Sequence, residues 1–141
     1  MTTTLTDTSA QPGRKTVWIA RAVYVLTTLF MLFDCGGKYF MAPGVADAFQ
    51  RQGMPLSFAP AIATLLLVLT VLYVVPRTSV LGAVLLTGYF GGAYACNFRA
   101  GFSPFETLFP VIFGALMWAP IYLLEPRVRV LLPIRRTVGS A

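Results

Sequence analysis

Residues 52–98 read QGMPLSFAPAIATLLLVLTVLYVVPRTSVLGAVLLTGYFGGAYACNF, and Arg77 is the single charge in that stretch. A helix that crosses a bilayer needs about 20 consecutive, mostly apolar residues. Gln52 to Pro76 supplies one such run and Thr78 to Phe98 a second. The Pro-Arg-Thr-Ser turn between them is so short that the two helices must be antiparallel neighbours. The sequence therefore predicts a membrane hairpin at the centre of the chain.

The same pattern extends on both sides. Thr107 to Leu124 carries no charge, and Val17 to Phe33 carries only Arg21. Arg21 falls about one turn into its run, where a long side chain reaches the headgroups at modest cost. Of the 141 residues, 57% are hydrophobic and 11% charged. A soluble domain is about a quarter charged, and on a water-facing surface so few charges would leave broad apolar patches exposed. The expected fold is all-α, a four-helix transmembrane bundle with spans at about 17–39, 57–75, 79–98 and 104–124. Residues 1–16 and 127–141 are expected to be a disordered tail and a basic tail. The first span could also be a signal peptide, with Arg14 and Lys15 as its basic start. The Asp-Cys-Gly-Gly-Lys that follows has no small-residue cleavage site, so it reads as a retained helix.

With four spans, both ends of the chain lie on one side. That side carries Asp7, Arg14, Lys15, Arg21, Arg77, Glu125, Arg127, Arg129, Arg135 and Arg136. The other holds Asp34, Lys38, Asp47, Arg51, Arg99 and Glu106, which balance to zero. The whole formal charge of +6 thus falls on one face. The positive-inside rule makes that face cytoplasmic. The tail RVRVLLPIRR is then an orientation signal that also attracts anionic lipid. Leu131, Leu132 and Ile134 within it suit a membrane interface better than a nucleic acid.

Between the first two spans, Ala-Pro-Gly at 42–44 breaks the chain. Val45, Ala48 and Phe49 then share one face of a short amphipathic helix expected in the outer interface. Gly53 and Pro55 end it. Ser57 is a candidate cap for the second span, with Pro60 in its first turn. Gly88 and Gly92 form a G-x-x-x-G pair, and Cys96 extends the row. Such a row lets a helix of the same chain, or of a second copy, approach closely. Ser-Pro-Phe-Glu at 103–106 has capping-box spacing at the start of the fourth span. Pro110 and Pro120 lie inside that span, and each frees a carbonyl four residues back. Pro110 frees that of Glu106.

This orientation gathers Asp34, Lys38, Asn97, Arg99 and Glu106 at the outer ends of three spans. Asp34 and Lys38 are four apart with the acid first, the favourable order on a helix. A closed network of Asp34 and Glu106 against Lys38 and Arg99 is expected. It reads as a salt-bridge belt fixing helix register, or as a quinone, substrate or ion site at the bundle mouth. Cys35 and Cys96 fall in the same layer, where two buried thiols and a disulfide are both open readings. The chain has no histidine and two cysteines. His-ligated haem, His-containing metal sites, a Ser-His-Asp triad and four-thiolate clusters are therefore excluded. No nucleotide-binding fingerprint is present, and the residue inventory points away from an autonomous enzyme.

The stretches LYVVPRTSVLGAVLLTGYFGGAYACNFRAG (72–101) and ALMWAPIYLLEPRVRVLLPIRR (115–136) resemble the DoxX-like family of small bacterial membrane proteins. Asp34, Lys38, Pro43, Phe49 and Gly-Met-Pro at 53–55 fit its pattern more loosely. The resemblance implies a four-helix membrane bundle. Through wider relatives, it also implies association with quinone-linked oxidation of sulfur compounds or with oxidative-stress membrane complexes. The chain departs from the family at Asn97, where a histidine is frequent. It also departs in the second span, which holds threonines and apolar residues where members carry a glutamate. Three functions follow as expectations: a non-catalytic subunit or scaffold, a quinone-linked redox subunit, and a small-solute transporter moving its fourth helix. The expected partners are the lipid bilayer and a membrane protein or a second copy.

Overall fold

The computed structural model describes residues 13–125 and Val128. Residues 1–12, 126–127 and 129–141, and with them most of the tails expected at 1–16 and 127–141, lie outside the described residues. Arg14, Lys15 and Thr16, assigned to the N-terminal tail from sequence, instead open the first helix.

Helices α1 (Arg14–Tyr39), α2 (Pro43–Gln52), α3 (Ala59–Val74), α4 (Ser79–Arg99) and α5 (Pro104–Leu124) follow in order, and a 3₁₀ turn at Leu56–Phe58 leads into α3. Four of these elements are long and apolar enough to cross a membrane: Arg14–Tyr39, Leu56–Val74, Ser79–Arg99 and Pro104–Leu124. α1 and α4 each pack against both α3 and α5, so they face each other across the bundle. Apolar side chains such as Leu29, Phe33, Val68, Leu85 and Ile112 cover its outside. In water such a surface would be a liability; in a bilayer it is the lipid contact. The molecule is a multi-pass membrane protein.

Met31, Leu66, Leu86, Phe113 and Met117 form the core between the four long helices. Phe113 meets Phe30 in a tilted contact at 4.7 Å and Phe90 edge-on at 5.3 Å, which joins α1, α4 and α5. Threonines inside the spans turn their hydroxyls back onto their own helices. Thr27, Thr28, Thr70 and Thr87 each donate to a carbonyl four residues earlier. This is how a hydroxyl is tolerated where water is excluded.

The hairpin of α3 and α4 is closed by a backbone contact. A Cβ on Gly82 would lie 2.3 Å from the backbone nitrogen of Tyr73. Only glycine permits that approach. Pro76 has no amide to offer the carbonyl of Leu72, and the Thr78 hydroxyl replaces it at 2.8 Å. Tyr24 donates to the carbonyl of Tyr73, and Tyr73 donates to that of Met117, both at 3.0 Å. Two buried or half-buried phenols thus tie α1, α3 and α5 together near the end opposite α2.

At the α2 end, three helices stop with one device. The residue after the helix takes a left-handed conformation, and the next amide bonds back to a carbonyl in the last turn. Glycine fills this position after α2 (Gly53, φ 69°) and after α4 (Gly101, φ 69°). After α1 it is Met41, at φ 51°. The amides of Ala42, Met54 and Phe102 close the three stops, on the carbonyls of Gly37, Phe49 and Asn97.

Two local expectations change. Ser57 makes no cap, because the chain turns into α3 through the 3₁₀ turn and Phe58 is the residue at its start. The amide of Phe58 already donates to the carbonyl of Pro55, so the helical path begins before Ser57 could close it. Pro43 does not merely break the chain. It is the first residue of α2, where its missing amide costs nothing.

Candidate functional site

α2 lies across one end of the bundle and brings charged and amide side chains against the ends of α4 and α5. Phe49 points inward from α2 and is 4% exposed. Val45 sits over Gly37 of α1, 3.8 Å from where a Cβ would stand. The last two residues of α2 then bond outward. Gln52 donates its amide to Oδ1 of Asn97 at 2.7 Å, and Arg99 donates to the backbone carbonyl of Gln52 at 2.8 Å. The guanidinium of Arg51 lies 3.7 Å from the centre of the Phe102 ring and 3.4 Å from Oε1 of Glu106. It thus combines a cation–π contact with an ion pair.

Asn97 uses both ends of its amide. Its Oδ1 accepts from Gln52, and its Nδ2 donates to the backbone carbonyl of Glu106 at 2.9 Å. That carbonyl is the one Pro110 leaves without a helical donor. Glu106 itself completes the predicted capping box: its carboxylate accepts from the amide of Ser103 at 3.0 Å and from its hydroxyl at 2.7 Å. Among the described residues, every buried side-chain nitrogen and oxygen has a partner.

The pairing expected from sequence is redistributed. Asp34 and Lys38 do pair, four apart on α1. Glu106 meets Arg51 rather than Lys38, and Arg99 meets a backbone carbonyl rather than an acid. The reason is α2: it lies against the ends of α4 and α5 and supplies Arg51 and Gln52, which the sequence reading left out of the expected network. Two polar groups result. One is the α2 latch of Arg51, Gln52, Asn97, Arg99 and Glu106. The other is the Asp34–Lys38 pair, whose lysine side chain is only 13% exposed.

Cys35 is buried in the core and directs its thiol to the carbonyl of Ala63 at 3.6 Å, and Cys96 is half-buried. Both thiols are free. Of the two readings of the Gly88/Gly92 row, a helix of the same chain or of a second copy, the first finds no contact among the described residues. A Cβ added at Gly88, Gly91 or Gly92 meets nothing within 4 Å, so among the described residues no helix lies upon that face of α4. Within the hairpin the close-approach glycine is Gly82, and the sequence signalled it only by its nearness to the turn. Among the described residues, no three His, Cys, Asp or Glu side chains are grouped to hold a metal ion. A groove of about 340 Å³ opens at the opposite end, between Tyr24, Pro76, Ser79, Pro120 and Glu125, away from both polar groups.

In comparisons with known proteins, the family model described as the DoxX-like family matches residues 22–120. No curated protein and no solved structure matches the chain.

Proposed function

Because this chain belongs to the DoxX-like family, we propose that it serves in the bacterial inner membrane as a non-catalytic subunit or scaffold of a membrane complex. The observation that carries this reading is the uncovered face of α4. Gly88, Gly91 and Gly92 leave it flat, and no helix among the described residues uses it. In lipid, a surface of that shape gains dispersion contacts from another helix that two lipid tails do not match. The latch residues fit the same reading, since their bonds hold helix ends together. Both chain ends are cytoplasmic in this proposal, because Arg14, Lys15, Arg21 and Arg77 lie at one end of the bundle while the α2 end is electrically balanced.

The test uses Gly88→Cys in a chain with Cys35 and Cys96 replaced by alanine. Thiol cross-linking in native membranes is expected to trap a second copy or a partner subunit. Adding Gly92→Leu should abolish that product while leaving the monomer folded, because a Cβ at this position meets nothing within 4 Å among the described residues. A chain that stays monomeric with either sequence overturns the reading.

A second reading is favoured by the Asp34–Lys38 pair, a largely buried ammonium beside a carboxylate in an apolar layer. Ionisable groups inside a membrane span mark substrate or ion paths more often than they serve packing. The pair would form the entrance of a quinone-linked redox subunit, with the electron carrier on a partner. Arg99 and Glu106 would flank it. Lys38→Ala should then abolish quinone-dependent activity in membranes without lowering protein level; equal loss of both overturns it.

A further inference from the structure

We propose that α2 is a hinged cover, latched shut across one end of the bundle, that opens as a unit. It applies equally to a scaffold and to a redox subunit.

Both joints of α2 are left-handed residues, Met41 at φ 51° and Gly53 at φ 69°. Such residues end one helix sharply and let the next run in a new direction, so α2 turns independently of its neighbours. The Met41 joint is strained, because a side chain in this conformation crowds the following carbonyl. The last turns of α1 before it contain Gly36 and Gly37, and glycine pairs are where helices bend. Swinging α2 outward would release that strain.

The contacts that oppose opening are few and of two kinds. Phe49 plugs the apolar end of the bundle. Arg51 and Gln52 then fasten the far end of α2 to Asn97, Arg99, Phe102 and Glu106. The two charged links are exposed and exchange readily with water or with an incoming carboxylate or guanidinium. The start of α2 is held differently: Val45 rests on a glycine with no side chain to grip it. A helix fixed at its far end and loosely seated at its near end opens when the far end is released. Opening would unseat Phe49 and uncover the end of α1 that carries Asp34 and Lys38.

The test uses the full chain in lipid nanodiscs, with Cys35 and Cys96 replaced by alanine and Phe49→Cys introduced. An impermeant maleimide should label this buried position at least about tenfold more slowly than a cysteine at exposed Gln50, as expected for a site reached only through local opening. Adding Arg51→Ala and Gln52→Ala should raise the Phe49→Cys rate to near that of the exposed site. Hydrogen exchange with Phe49 intact gives an independent readout. In the Arg51→Ala, Gln52→Ala chain, α2 is too short to hold its own hydrogen bonds once undocked, so the amides of 45–52 should lose protection together while those of α3 and α4 keep theirs. An unchanged labelling rate together with unchanged protection in α2 overturns the cover. So does a loss of protection spread through the whole bundle.

Discussion

Gly82 and Met41 show how much a single backbone conformation decides. A Cβ at Gly82 would press on backbone atoms of Tyr73 and Leu72, and backbone does not yield as a side chain does. Gly82→Ala should therefore cost about 1–3 kcal/mol through forced separation of α3 and α4. It should lower the thermal midpoint in detergent. Gly88→Ala meets open space and gains up to about 1 kcal/mol of helix propensity, so it should hold or raise the midpoint. Met41→Gly removes a strain of about 1–2 kcal/mol in the folded chain. It returns about half of that as extra freedom of the unfolded chain. A small net stabilisation is expected in the same melt.

At the scale of elements, the join between α4 and α5 is a repair. Pro110 withdraws an amide from the carbonyl of Glu106, and Asn97 replaces it from the neighbouring helix. Asn97→Leu should leave that carbonyl and the amide of Gln52 unsatisfied, each at about 1–3 kcal/mol if it stays dry. Pro110→Ala restores the helical donor and should make Asn97→Leu cheaper. A double-mutant cycle on thermal or denaturant midpoints is expected to give a coupling of about 0.5–2 kcal/mol between the two sites. Zero coupling would mean that the side-chain bond does not replace the lost amide. The freed carbonyl could be named from sequence, because proline chemistry fixes which group is orphaned. The donor could not, because Asn97 and Glu106 meet only after the Gly101 turn sets the angle between α4 and α5.

Across the whole molecule, charge is separated by the bundle: arginines gather at the end holding the α3–α4 turn, and a balanced mixture gathers at the α2 end. In intact cells, an impermeant thiol label should reach a cysteine at Gln50 and not one at Ser79, in a chain without native cysteines. The reverse result would invert the proposed orientation. The helical bundle, its four spans and the short helix between the first two were all legible in the sequence. Each follows from local quantities: apolar run length, charge spacing, and the proline and glycine punctuation. The Asp34–Lys38 pair and the Ser103–Glu106 box were legible for the same reason, since both partners lie within one turn of helix. Arg51, Gln52 and Phe102 were not read as part of one site. Their bonds join residues up to 55 positions apart, and only the tertiary placement of α2 brings them into reach. The glycines of α4 divide in the same way. The sequence marks where small residues allow a backbone to come close, but the packing of α3 against α4 decided that, among the described residues, Gly82 is used and Gly88 and Gly92 are not.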